Sequence, residues 1–502
     1  MDTRTLPEKP AYAELARLQV RLHRLNHLES MVGWDRATMM PPKGNDARAA
    51  AMAEIDALVH RLRTDPQQAE WLGAAEGEPL DEFERANLRE IRRTWREANA
   101  LPESLVEART IAGARCEHAW RTQRFANDWA GFLPNLREVV KLAREEAQFL
   151  ADDSGLSRYD ALMDRFEPGM RAAELDRIFG DLKQWLPELI QRVLRKQATE
   201  TVAVPAGPFP IEKQKEMSHE LVKLLGFDFQ GGRLDETTHP FCGGVPEDVR
   251  LTTRYREEDF ARALMGTIHE TGHARFEQNL RRDWLGQPIA RARSFGIHES
   301  QSLSFEMQIA RSPGFMAQLA PLLTRVFGPN PAFEPGNLHL FFTRVKPGNL
   351  IRVEADELTY PLHVIARYEI ERALIEGQIE PEDIPALWDE KMMKLLGVDT
   401  RGNYADGCMQ DVHWSEGLLG YFPSYTLGAM YAAQWFATIR KSVPDLDARI
   451  AAGDLSPAFD WLAANIWSQG SRWELPELVR RASGEALNPA HFRKHLEARY
   501  LG

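Results

Sequence analysis

Cysteine is scarce. The chain has three, Cys116, Cys242 and Cys408, scattered over 502 residues with no Cys-x-x-Cys pair. An odd, dispersed set gives no closed disulfide framework and no thiolate zinc site, so a reducing compartment is expected. Long apolar runs are missing too. No stretch nears the roughly 18 uninterrupted apolar residues of a bilayer span. The opening segment, Met1 to Leu25, carries charges throughout and lacks the apolar stretch of a secretion signal, so the expected location is cytoplasmic. Positive charge is in deficit: 62 Lys and Arg against 74 Asp and Glu leave −12, which argues against nucleic acid or an anionic membrane as partner. Repeats, low-complexity tracts and long Gly/Ser linkers are absent, so residues 1–502 read as one continuous body.

What is present is mostly helical periodicity. Leu15, Leu18, Leu22, Leu25 and Leu28 form an apolar stripe at three- and four-residue spacing, and similar stripes recur to the C-terminal third. Period-two alternation is confined to 199–207 and 247–256, which predict short strands separated by turn-rich sequence. The expected fold is mainly α: a helical body with a small sheet lining a cleft.

The second of these strands leads into "GTIHETGHARFE", residues 266–277. In a helix, predicted here over about 257–283, positions i and i+4 share a face, so His269 and His273 present imidazoles to one point. Glu270 sits about 100° around the axis, beside a metal held there and within reach of its water. That is the chemistry of H-E-x-x-H: two zinc ligands and a general base. Gly266 and Gly272 each cost about 1 kcal/mol against Ala in a helix, a cost that close approach of a substrate or backbone would explain. A catalytic zinc needs a third protein ligand. Phe276 and Asn279 stand where a metzincin would have Gly and His. A second helix, predicted over about 295–312, offers Glu299; from the residues alone it is either that ligand or a solvated carboxylate.

Five motifs in order, "DVRLT" (248–252), "HETGH" (269–273), "HESQS" (298–302), "IRVEAD" (351–356) and "GCMQDVHW" (407–414), resemble the carboxypeptidase Taq family of thermostable metallocarboxypeptidases. "WDRATMMPP" (34–42) and "HPF" (239–241) are similar to that family as well, so the resemblance spans nearly the whole chain. It implies His269, His273 and Glu299 as ligands and Glu270 as general base. It also implies a two-lobed, cradle-like helical body around a deep cleft, usually a homodimer. Zinc is the usual metal, with cobalt often supporting activity. The implied substrates are peptides, trimmed one C-terminal residue at a time with broad tolerance and resistance at proline.

By the same resemblance His413 lies near the metal and Tyr421 faces the cleft, where either can stabilise an oxyanion; packing is the competing role for both. A free C-terminal carboxylate calls for arginine, whose planar fork binds both oxygens. Arg352 is the first candidate and Arg250, which shares a strand face with Arg254, the second; each alone also reads as a solvated surface charge. Asp248 is expected to accept a proton from a ligand imidazole. An endo-acting zinc oligopeptidase on the same motif is the alternative, and a helical scaffold with a structural metal a third reading.

Overall fold

The structure, a computed structural model, describes residues 8–238 and 240–502. His239 of "HPF" and the first seven residues of the opening segment lie outside the described residues. The chain is mainly α, 67% helical, with one three-stranded sheet among the described residues. The main core runs through the central and C-terminal helices, where Trp388, Trp435 and Trp467 are completely enclosed. A separate N-terminal core gathers Tyr12, Leu15, Leu72, Leu88 and Ile91. The long helix Pro10–Thr38 buries Leu15 and Leu22 of its stripe but leaves Leu28 exposed, because its second half leaves that core and borders a cavity.

In the sheet, β1 (Gly232–Glu236) runs parallel to β3 (Asp248–Thr253), and β2 (Cys242–Val245) pairs antiparallel on β3's other side. The strand predicted at 247–256 is therefore present but stops at Thr253, leaving Arg254 exposed beyond it. The strand predicted at 199–207 does not form. Val204 is 72% exposed, so the alternating valines there share no buried face, and the backbone of Ala203 is bonded to the Asn337 amide rather than to a strand. Conversely β1 and β2 fall where turn sequence was expected; Gly232 and the Gly243–Gly244 pair have low strand propensity, and pairing with β3 overrides it.

Two helices carry the expected site. The first spans Phe260–Gln278, opened by Asp259, whose carboxylate accepts from the Ala261 and Arg262 amides. Phe260, Leu264, Ile268 and Phe276 form its buried stripe, as periodicity predicts. The second is α-helical only over Phe295–Leu303 and continues as a π-helix over Ser304–Ala310. Glu167, fully buried, accepts from Ser294 Oγ at 2.6 Å and from the Gly296 amide, fixing this helix at its start.

Candidate metal centre and active site

The two helices meet at glycines. A Cβ on Gly272 would lie 2.5 Å from the Gln301 carbonyl oxygen and 2.6 Å from Ser302 Cα, so only glycine lets the backbones approach this closely. A third helix, Pro423–Ser442, brings Gly428 against Glu299, where a Cβ would sit 2.7 Å from Glu299 Cγ. Gly266 differs: nothing lies within 4 Å of its missing Cβ. The same substitution therefore has opposite outcomes. Gly272→Ala is expected to lower stability by about 1–3 kcal/mol through overpacking, and Gly266→Ala to raise it by about 0.4–1 kcal/mol; denaturant unfolding of both variants checks the pair.

At this junction His269, His273 and Glu299 come together, their candidate ligand atoms all within 4.8 Å of one another. His269 Nε2 is 3.8 Å and His273 Nε2 3.4 Å from the same oxygen, Glu299 Oε2. On its far side, His269 Nδ1 is 2.9 Å from Glu306 Oε2. A carboxylate there takes the Nδ1 proton and leaves the Nε2 lone pair facing inward, the arrangement a metal-binding imidazole needs. Arg311 holds the other oxygen of Glu306 at 2.6 Å. His298, next to Glu299, is turned away: it bonds Glu277 at 3.0 Å and stacks on the His273 ring.

Glu306 is the partner that was expected of Asp248. Asp248 instead forks onto Arg250, with both bonds at 2.6 Å, because the two side chains lie two residues apart on one strand face. Arg250 also covers the Trp34 ring at 4.6 Å. Sequence did hold a signal for Glu306: it lies seven residues, nearly two helical turns, beyond Glu299, and so on the same face. Glu306→Gln is expected to weaken metal binding by about 10–100-fold, read by chelator competition; an unchanged affinity would leave Glu306 without this orienting role.

The enclosed group is electrostatically unusual. Burial pushes the Glu270 carboxyl up to about 7, against the pull of His269. Burial also opposes a charge on His269, but Glu299 and the bonded Glu306 outweigh it and raise that imidazole to about 10. His273 is pushed down to about 4 by burial and by His298. Two imidazoles and three carboxylates, Glu270, Glu299 and Glu306, thus share one enclosed volume. Two nitrogens and one oxygen converging there fit a divalent metal of the zinc type.

A second cluster faces this one. Arg352, only 3% exposed, donates through Nε and Nη2 to Asp411 Oδ1 at 3.1 and 2.8 Å, and through Nη1 to the Tyr360 hydroxyl at 2.6 Å. Arg367, which sequence reading missed, donates to Asp411 Oδ2 at 2.6 Å. Two guanidiniums share one carboxylate, so the triad keeps one surplus positive charge. His413 Nε2 lies 3.2 Å from the Tyr425 hydroxyl. Its pKa falls to about 4 because burial outweighs the pull of Asp411, with Arg352 and Arg367 adding to the fall, so the ring is neutral near pH 7. Tyr421 packs edge-on against Phe295 and Phe166 and lies 5.3 Å, ring to ring, from Tyr425. Burial, with Glu299 adding to it, raises both phenols, Tyr425 to about 12, so both remain O–H donors. Glu371, fully enclosed, accepts from Trp414 Nε1 at 2.8 Å and the Gly420 amide at 3.1 Å, pinning the loop that follows His413.

The chain is similar to known metallopeptidases along its length. A sequence profile of the carboxypeptidase Taq (M32) metallopeptidases matches residues 14–500. Thermostable carboxypeptidase 1 of Thermus thermophilus is 41% identical, the alignment covering 98% of each chain. Among solved structures, Trypanosoma cruzi metallocarboxypeptidase 1 superposes with a TM-score of 0.96 at 48% identity, covering 99% of this chain and 100% of that one. A Pyrococcus furiosus carboxypeptidase structure gives 0.94 at 31% identity, covering 98% and 99%.

Proposed function

The chain belongs to the carboxypeptidase Taq (M32) family and is a metallocarboxypeptidase; on that footing we propose that zinc is its metal, that His269, His273 and Glu299 hold it, and that Glu270 is the general base. The observation that carries this reading is the convergence of two imidazole nitrogens and one carboxylate oxygen, with Glu270 on the next helical position. When bound, zinc supplies Lewis acidity, making a water acidic enough to ionise near neutral pH and polarising the scissile carbonyl. Cobalt, with similar ligand preferences, is proposed to substitute for it.

The protein's own groups do the rest. Glu270 takes the water proton and returns it to the leaving amine. His413 and Tyr421 are the proposed donors to the developing oxyanion, both neutral and preorganised by their neighbours. Arg352 is the proposed receptor for the substrate's terminal carboxylate, supported by the surplus charge it shares with Arg367 over Asp411. Arg250 is the second candidate: it pairs one-to-one with Asp248, so that pair carries no surplus charge of the kind Arg352 and Arg367 share.

Broad side-chain tolerance, arrest at proline, homodimeric assembly and a cytoplasmic location are further proposals, resting on the resemblance. No helix among the described residues is long and apolar enough to cross a membrane. The test compares free and amidated C-termini on otherwise identical peptides. Amidation is expected to raise KM at least about tenfold, the loss of a charge-assisted fork. Undiminished cleavage of the amide would favour the endo-acting oligopeptidase instead.

A further inference from the structure

Two connected cavities lead away from the metal centre. The nearer, of about 410 Å³, runs between β2 and the start of the Glu299 helix, with His298 and Phe295 in its wall. Since His298 stacks on His273 and Phe295 packs on Tyr421, this cavity opens beside the candidate ligands. The farther, of about 370 Å³, lies against the N-terminal helices. His23, Asn26, Gly286, Gln287 and Arg291 line both, which makes them one continuous path.

The charges along this path do not cancel. Glu277 is taken by His298 at 3.0 Å, Glu97 by Arg93 at 3.0 Å, and Arg165 by Glu146 at 2.7 Å. Arg63 and Arg291 form no ion pair: among the described residues neither has a carboxylate within 4.0 Å, Glu29 acts on Arg63 only from farther off, and the Arg63 side chain donates to the Asn26 amide oxygen at 3.3 Å. Both are exposed, to the path they line. Enclosure and the neighbouring Arg63 act against the charge on Arg291, with Glu277 opposing them. A chain with twelve surplus acidic residues has no shortage of partners to offer, yet it leaves two like charges side by side in a cavity.

We propose that Arg63 and Arg291 form an anion subsite that receives the side-chain carboxylate of an Asp or Glu lying upstream of the scissile bond in a peptide substrate. The guanidinium forks match a carboxylate in shape and charge, and an arriving anion removes the repulsion between them. The proposed terminal-carboxylate receptor, Arg352, lines neither cavity, so the two anion sites are distinct. The inference rests on the carboxypeptidase reading and adds a preference to it: acidic residues some way before the C-terminus tighten binding, whatever residue is released.

The test uses the zinc-loaded full chain and peptides with one fixed C-terminal residue. A single Asp is moved one position at a time upstream of the scissile bond, with Asn at the same place as control. At one position Asp is expected to lower KM roughly tenfold relative to Asn, with kcat unchanged and the advantage shrinking as salt rises. Arg63→Gln/Arg291→Gln is expected to erase that advantage while trimming the Asn peptides like the parent protein, which also shows that the variant folds. Arg291→Glu is expected to shift the preference to Lys at the same position. Equal KM for Asp and Asn at every position, or an Asp advantage that survives in the double variant, overturns the subsite alone. Failure to trim any peptide overturns the carboxypeptidase reading and the subsite with it.

Discussion

Glu270→Gln is expected to lower kcat by about 10²–10⁴-fold, the ordinary worth of a positioned acid–base group, while bound metal stays at the parent stoichiometry. The amide has nearly the carboxylate's shape, so the side chain, only 9% exposed, keeps its packing. What it loses is the capacity to accept and return a proton. Metal retention follows from geometry: the converging donor set is His269, His273 and Glu299, and Glu270 is not part of it. Metal analysis alongside single-peptide kinetics decides the matter. A variant within a few-fold of the parent kcat would remove Glu270 from the reaction, and loss of metal together with turnover would make it a ligand.

His273→Ala is expected to do the reverse, abolishing metal retention and turnover together while the helical fold persists. Its Nε2 is the proposed ligand atom nearer to Glu299, 3.4 Å away, and the imidazole stacked on it, His298, is committed to Glu277. The folding cost is that of one buried polar side chain, about 1–3 kcal/mol. That is small for a body whose main core is spread over most of its helices. Metal content after dialysis and far-ultraviolet circular dichroism measure the two halves separately. Full metal content in the variant would place the ion elsewhere, and a collapsed spectrum would make the site a structural one.

What sequence could foretell follows from the range over which each interaction acts. The helix Phe260–Gln278 was legible because its evidence is local: a buried stripe at helical period, and two histidines one turn apart. The strand Asp248–Thr253 was legible for the same reason, as its alternation reports two faces of differing burial. β1 and β2 were not, because glycine-rich segments become strands only when a neighbour supplies the hydrogen bonds. The error at 199–207 is the converse: alternating valines met no partner strand, and the Asn337 side chain occupied the backbone. In the site, Glu299 stayed ambiguous from spacing alone, since nothing within its own helix distinguishes a ligand from a solvated carboxylate. Arg367 and Glu371 act across 44 and 43 to 49 positions, distances at which sequence carries no geometry; Glu306 acts across 37, its one local signal being the helix face it shares with Glu299. Gly272, read as a sign of close approach, has the Gln301–Ser302 backbone against it; Gly266, read the same way, has nothing.

The glycine seats at 272 and 428 have one more implication. Gly272 seats the Gln301–Ser302 backbone and Gly428 the Glu299 side chain, so packing sets the aim of the proposed third donor before any ion arrives. Stripping and reloading then become cycles on a rigid mould, with no refolding step between them. Such a mould ranks divalent ions by their intrinsic hunger for nitrogen and oxygen, and the occupant it carries is decided by the ionic stock around it.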